Sequence, residues 1–259
     1  MAGLETFKVS QSNKLIEASY TLSLNEKRLI LCAASMIDSR KAMPEGERGY
    51  LRVSAEDFGA LFGIETRHAY TILAEAVVKL WKREINSLDD GNPEDIRWIY
   101  HRKYLAGQGC VEIGFSPTVV PYMTLLSGEF TTFKIKYIGN LSTFYSIRLY
   151  ELSVQSANLK HGRRYISLER LRVIFDIGKK YPNVKDFRRW VLDPAIEDVC
   201  ENTNLAVKMT PKREGRKIVG FDMAVSSNGQ MALELSKAEA ELDRIPMGLE
   251  LSQDEFESV

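Results

Sequence analysis

The 259 residues are 44% hydrophobic and 27% charged, which supplies enough apolar material for a buried core and excludes a disordered or fibrous chain. Lys plus Arg and Asp plus Glu each total 35, so the formal net charge is zero, but the charges are unevenly spread. Residues 1–141 carry 17 basic and 17 acidic side chains, residues 142–225 carry 16 and 10, and residues 226–259 carry 2 and 8. The second segment is therefore basic and the third is acidic.

The N-terminal half contains a regular succession of predicted elements. Ser23 precedes an amphipathic stretch and is followed three residues later by Glu26, which is the spacing of a capping box at a helix start. Two β-rich stretches joined by a glycine-containing turn predict a hairpin. The predicted elements are a helix over 23–38, a strand over 50–53, a short helix over 54–63, a longer helix over 69–81, and hairpin strands over 96–105 and 111–115.

The C-terminal half repeats the same order. Residues 54–64 align with residues 167–177, and four of these eleven positions are identical. The repetition favours two copies of one structural unit. The predicted elements are a helix over 143–157, a strand over 165–166, a short helix that begins at Ser167, a long helix over 183–202, and hairpin strands over 205–210 and 218–225.

This order of elements is typical of a winged helix. The second helix of its helix-turn-helix enters a groove of DNA, and the hairpin, called the wing, approaches the DNA backbone. We therefore predict an α+β fold of two tandem winged-helix domains. The N-terminal domain, residues 1–138, is assigned to dimerisation and a secondary DNA contact, the domain at 139–226 is the main DNA-binding one, and residues 227–259 form an acidic, flexible tail.

The long helix of the second unit has an apolar face and a basic face. Projected at about 100° per residue, Lys185 and Arg189 point away from the apolar face, and Arg188 lies at its edge. We expect Lys185 and Arg189 to contact bases or phosphates and Arg188 to contact a phosphate while its stem covers the core. The projection holds only as far as Pro194, which lacks a backbone donor.

Further basic side chains lie in the turn before this helix, in the wing and on the long helix of the first unit. Their convergence on a winged helix favours DNA binding over a set of unrelated surface charges. The predicted DNA-binding residues are Lys179, Lys180, Lys185, Arg188, Arg189, Lys212, Arg213, Arg216 and Lys217 in the second unit, and Arg67 and His68 in the first.

The sequence lacks the local motifs of enzymes and metal sites. The histidines His68, His101 and His161 are isolated, no Cys-x-x-Cys pair is present, and no glycine-rich phosphate loop is complete. The sequence alone does not exclude a catalytic triad assembled from distant residues. We expect no catalytic residue, no metal ion and no cofactor.

Cysteine usage and hydropathy indicate a cytoplasmic location. The cysteines Cys32, Cys110 and Cys200 are widely separated and odd in number, which favours reduced thiols. The longest mostly apolar run, 29–37, is about half of the roughly 20 residues that cross a membrane. The N-terminus has no apolar signal region, so neither secretion nor membrane association is expected.

Three segments carry a resemblance to a known family. They are VSQSNKLIEASYTLSLNEKRLI at 9–30, STFYSIRLYEL at 142–152 and DFRRWVLDPAI at 186–196. With them, the chain closely resembles the replication initiator proteins of iteron-containing plasmids over roughly residues 8–225. Pro194 belongs to the third motif, whereas the segment after Ser226 does not align.

The resemblance implies a function and a set of partners. Two winged helices would bind double-stranded DNA with direct repeats at an origin, the C-terminal one through the helix that contains residues 186–189. The N-terminal one would also form a homodimer. Monomers would open the origin and recruit the host initiator, helicase and chaperone, and dimers would repress the initiator's own gene.

Two other classes of protein remain as alternatives. A tandem winged-helix transcriptional regulator would share the fold and the DNA contacts but would not open an origin. A nicking initiator of the rolling-circle kind needs a metal-binding pair of histidines, which this sequence lacks.

Overall fold

The computed structural model describes residues 4–86, 95–105 and 107–229. The elements in chain order are β1 Lys8–Ser12, α1 Asn13–Glu17, α2 Leu24–Ser35, β2 Leu51–Ser54, α3 Ala55–Phe62, α4 Thr66–Leu80, β3 Glu84–Asn86, β4 Asp95–Arg97, β5 Ile99–Leu105, β6 Cys110–Phe115, β7 Phe130–Lys134, α5 Phe144–Ala157, β8 Arg163–Ser167, α6 Leu168–Ile174, α7 Val184–Phe187, α8 Asp193–Asn202, β9 Leu205–Glu214 and β10 Lys217–Ser227. From residue 230 onward, the predicted tail lies outside the described residues. None of the helices in the described part of the chain has the length and hydrophobicity that a membrane crossing requires.

The first winged helix consists of α2, α3 and α4 packed beside the sheet β2-β6-β5. The capping box predicted at the start of α2 is present, because Ser23 and Glu26 each bond the other's backbone N–H. Ser54 caps α3 by accepting a hydrogen bond from the Asp57 backbone at 3.0 Å. Gly63 ends α3 with a φ of 64°, a left-handed conformation that glycine adopts without steric cost.

The second winged helix repeats this arrangement. Its sheet has the order β8-β10-β9, which corresponds strand for strand to β2-β6-β5. Ser167 caps α6 by accepting a hydrogen bond from the Arg170 backbone at 3.0 Å, as Ser54 does for α3. The prediction of two tandem winged helices is confirmed, and the residue-level repeat marks equivalent positions of the two units.

Two elements near the chain start were not predicted. Strand β1 pairs antiparallel with β7, with Val9 opposite Phe133, and α1 follows β1 directly. Helix α1 packs on α5, so the N-terminal segment crosses onto the second unit. Helix α4 also begins three residues earlier than predicted, at Thr66, because its first turn is polar and lies outside the apolar periodicity.

The long helix predicted over 183–202 is present, but it contains an irregular turn that the sequence did not predict. The segment consists of α7, a π-helical turn over Arg188–Leu192, and α8. In that turn the Asp193 N–H donates to the carbonyl of Arg188, five residues back. Pro194 explains the change, since it cannot donate a backbone hydrogen bond and its ring crowds the preceding turn. We call residues 184–202 the recognition helix.

A cluster of buried charges joins the two units. Lys27 of α2 lies 2.7 Å from Glu151 of α5, and Arg148 lies 3.2 Å from the other oxygen of the same carboxylate. All three side chains are fully buried. Both cations also donate to the hydroxyl of Tyr20. Because each charge has an opposite charge and hydrogen bonds, the cost of removing the charges from water is offset.

The Arg148 guanidinium also binds the backbone of both units. It donates to the carbonyl of Ala18 at 2.8 Å and to the carbonyl of Ile174 at 3.1 Å. Ala18 belongs to the N-terminal segment, and Ile174 is the last residue of α6. The same guanidinium therefore connects the N-terminal segment to the first helix of the second helix-turn-helix.

Glu17 forms a second connection. Its carboxylate accepts from Arg164 at 3.1 Å, Arg170 at 3.0 Å and Gln155 at 2.9 Å. Burial raises the pKa of Glu17, but Arg164, the Gln155 hydrogen bond and Arg170 lower it by more, so the pKa lies below its usual value. These contacts contribute stability at neutral pH that is lost as the pH falls through the lowered pKa.

We predict that Arg148→Met lowers the free energy of unfolding by about 3 kcal/mol or more, because the buried Glu151 loses one of its two cations and two backbone carbonyls lose their donor. The measurement is urea unfolding followed by circular dichroism. The matched control is Arg216→Met at an exposed position, which should change the value by less than about 0.5 kcal/mol. A loss below about 1 kcal/mol for Arg148→Met would contradict the assignment.

Candidate nucleic-acid interface

A groove of about 710 Å³ lies between the N-terminal half of the recognition helix and the tip of the wing. One acidic side chain, Asp193, lines it together with polar and apolar residues. Six basic residues line it: Lys185, Arg188, Arg189, Arg213, Arg216 and Lys217. All six are among the predicted DNA-binding residues, so two elements distant in sequence present their cations to one concave surface.

The recognition helix presents its predicted faces. Phe187, Val191 and Ala195 are buried against the core, whereas Lys185 and Arg189 are exposed. The Asn183 side chain accepts from the Lys185 backbone at 2.9 Å and caps the helix. Lys185 and Arg189 therefore have the accessibility that contact with another molecule requires.

The π-helical turn gives Arg188 a partner that an α-helix would not provide. Residues five apart in an α-helix point about 140° away from each other. The wider turn brings Asp193 to 3.3 Å from the Arg188 guanidinium. Arg188 is half-buried, as its predicted position at the edge of the apolar face requires, and its charge is partly offset.

The wing residues separate onto two faces of the hairpin. Arg213, Arg216 and Lys217 lie at the tip and line the groove, and Arg213 donates to the carbonyl of Arg216 at 3.4 Å. Lys212 does not line the groove, and its ammonium lies 4.8 Å from the ring centroid of Tyr165. Successive residues of a strand point to opposite faces, which explains why the side chains of Lys212 and Arg213 lie on different faces.

The turn before the recognition helix carries Lys179 and Lys180. Both are exposed, but neither lines the groove. The turn is held by Arg172, which donates to the carbonyls of Gly178, Lys180 and Tyr181 at 2.9, 2.6 and 2.9 Å. The two lysines are thus presented from a fixed backbone beside the groove.

The predicted residues of the first unit have acidic neighbours. Arg67 and His68 lie in the exposed first turn of α4. Glu65 lies 2.9 Å from Arg67 and 3.5 Å from His68. Since the same carboxylate faces both residues, the first unit presents less net positive charge than the groove of the second.

Two residues of this region were not predicted from the sequence. Asp193 lines the groove and pairs with Arg188, and only the π-helical turn places it there. Trp190 is 59% exposed on the recognition helix. The helical projection gave a signal for Trp190, because this large apolar side chain falls outside the apolar face.

Two family models match the chain. One, described as initiator replication protein WH1, matches residues 8–154, and the other, described as initiator Rep protein WH2, matches residues 167–224. The chain belongs to the replication initiator family. The family resemblance stated from the three sequence motifs is thereby confirmed.

The chain is also similar to known replication proteins and to a solved structure of an initiator. A replication initiation protein of Escherichia coli is 25% identical over 256 residues, covering 95% of this chain and 78% of that protein. The PI protein of Escherichia coli is 29% identical over 248 residues, covering 82% and 80%. A crystal structure of the Pi initiator protein in complex with iteron DNA aligns with a TM-score of 0.73 at 27% identity, covering 85% of this chain and 97% of that one.

Proposed function

We propose that this initiator binds double-stranded DNA with direct repeats at a plasmid origin, through the groove between recognition helix and wing. The convergence of six basic side chains on that groove is the observation that carries the proposal. A helix of this kind fits the major groove, and a wing beside it lies within reach of the phosphates. The similar Pi initiator, which was crystallised with iteron DNA, supports the choice of ligand.

The groove residues differ in what they can contribute. Arg189 is exposed and can donate two hydrogen bonds to a guanine edge, a contact that distinguishes sequences. Lys217 lies at the exposed wing tip, where a cation contacts phosphate whatever the sequence. We assign Arg189 to base recognition and Lys217 to the backbone.

We predict that the logarithm of the DNA association constant falls with the logarithm of salt concentration with a slope of about −4 to −8, as expected for about 5 to 9 phosphate contacts.

Arg189→Ala should cost about 1–3 kcal/mol on the specific site and much less on random DNA. Lys217→Ala should weaken binding to both nearly equally and reduce the slope by about 1. Fluorescence anisotropy at several salt concentrations measures all three.

A salt-independent affinity would contradict DNA binding through this groove. Equal losses for Arg189→Ala and Lys217→Ala on both DNAs would instead contradict the assignment of roles. Glu197→Ala, on an exposed position of α8 outside the groove, is the control for changes elsewhere on the recognition helix.

We propose that the first unit forms the homodimer. Residues 1–141 have balanced charges, which gives them no electrostatic preference for DNA. Strand β5 is the outer strand of its sheet, and in the described part of the chain no strand pairs with its free edge. It carries the exposed aromatic residues Tyr100 and Tyr104. Such an edge can pair with a second copy about a two-fold axis.

We predict that Tyr104→Lys raises the dimer dissociation constant about tenfold or more, because a charge on an edge strand opposes strand pairing. Sedimentation of the full chain measures the constant. Val173→Lys introduces the same charge at an exposed position of the second unit and should leave it unchanged. Equal effects of the two substitutions would contradict dimerisation through β5.

We further propose that binding opens the origin and that the protein recruits the host initiator, helicase and chaperone. Dimers repress the initiator's own gene in this proposal. The protein acts in the cytoplasm and has no catalytic activity. The family membership supports these steps. In the described ranges, no three His, Cys, Asp or Glu side chains are grouped to hold a metal ion.

Origin opening is the step that separates an initiator from a winged-helix regulator. We predict that adding the protein to a supercoiled plasmid with its origin exposes unpaired bases beside the repeats, which permanganate detects. DNA binding without unpaired bases would favour the regulator. A strand nick would contradict the absence of catalysis.

A further inference from the structure

The recognition helix carries an exposed tryptophan. Trp98 is fully buried and Trp81 is half-buried, whereas Trp190 is 59% exposed. The Trp190 ring is therefore accessible to a neighbouring side chain or to a bound molecule. Trp190 itself does not line the groove, but its neighbour Arg189 does.

The ring of Trp190 is in contact with Arg189. The guanidinium carbon lies 4.9 Å from the ring centroid, which is within the range of a cation–π interaction. Consecutive residues of a helix do not face each other, so the contact requires the Arg189 stem to lie along the helix surface. Among the described residues, Arg189 has no ion pair and no side-chain hydrogen bond, and the ring is its partner.

The neighbouring Arg188 is held in a different way. The Asp193 carboxylate accepts from its Nε and Nη2 atoms, both at 3.3 Å. Those two donors are occupied, whereas a guanidinium placed over an aromatic ring keeps its in-plane N–H groups free. Of the two adjacent arginines, Arg189 is therefore the one with all of its donors available for a base.

We infer that Trp190 is a positioning residue for base recognition. Its ring restricts the Arg189 side chain before DNA binds and leaves the N–H groups free to donate to the O6 and N7 atoms of a guanine. Restricting a long side chain in advance reduces the entropy lost on binding. This inference rests on the proposed function, because it names how one residue of that groove becomes selective.

The test compares three substitutions on two DNAs. One is a duplex selected by the wild-type protein from a random-sequence pool, and the other is a shuffled duplex of equal composition. Trp190→Ala should raise Kd about 3- to 10-fold on the selected duplex and less than about 2-fold on the shuffled one. Trp190→Tyr keeps an aromatic face and should retain most of the affinity, whereas Trp190→Leu keeps only apolar volume and should behave like Trp190→Ala.

A double-mutant cycle separates positioning from direct contact with DNA. In an Arg189→Ala background, Trp190→Ala should have no further effect, because the residue that it positions is gone. In a Lys185→Ala background it should have its full effect, since Lys185 lines the groove but does not contact the ring. Thermal unfolding of each variant checks that the substitution leaves the fold intact.

Three outcomes overturn the inference. A full effect of Trp190→Ala in the Arg189→Ala background would mean that the ring contacts DNA itself. Wild-type affinity of Trp190→Leu would mean that the aromatic face is not needed. If the wild-type protein selects no sequence from the pool, the proposed function fails as well. The first two outcomes overturn only the role of Trp190 and leave the proposed function standing.

Discussion

The cluster of Lys27, Arg148 and Glu151 is the contact on which the arrangement of the two units depends. Three charges fully removed from water are tolerated only when each has its partners in place. Those partners come from α2 and α5 and from the N-terminal segment. A change in the position of one unit would leave a buried charge without its counterpart. The cluster therefore favours one relative position of the two winged helices over others.

The two units differ less in how many cations they carry than in whether those cations have acidic partners. Arg67 in the first unit shares its helix start with Glu65, and the exposed Arg52 pairs with Glu112. In the groove, Arg188 has a carboxylate within ion-pair distance, whereas Arg189 does not. A polyanion therefore meets compensated charges at Arg52 and Arg67 of the first unit, and an uncompensated guanidinium at Arg189 in the groove of the second. This explains how a chain of zero net charge can present a basic surface.

Local signals in the sequence predicted the local structure well. Ser23, Ser54 and Ser167 each begin the helix expected from their spacing, and the repeat of residues 54–64 led to the tandem fold. Periodicity also identified which side of the recognition helix is buried, up to the turn that precedes Pro194. These features depend on residues within a few positions of one another, which is the range that a sequence pattern covers.

The features that were missed depend on distant residues. Lys27 and Glu151 are 124 positions apart, and Lys and Glu are residue types that usually lie on exposed helix faces. Nothing in the local sequence therefore indicates that the two are buried together. The pairing of β1 with β7 was missed for the same reason, because the two strands are far apart in the sequence. Pro194 signalled an irregularity but not its kind, because a proline inside a helix is compatible with a kink, a break or a π-helical turn.

The N-terminal segment also supports the turn of the second helix-turn-helix. The hydroxyls of Ser19 and Thr21 both donate to the carboxylate of Asp176, which lies two residues after the end of α6 and has a φ of 47°. A C-terminal fragment cut at the boundary between the units would lack these donors and the Ala18 carbonyl that Arg148 binds. The second winged helix is therefore completed by residues from the start of the chain, so the boundary that the sequence repeat suggests is not a boundary of structural independence.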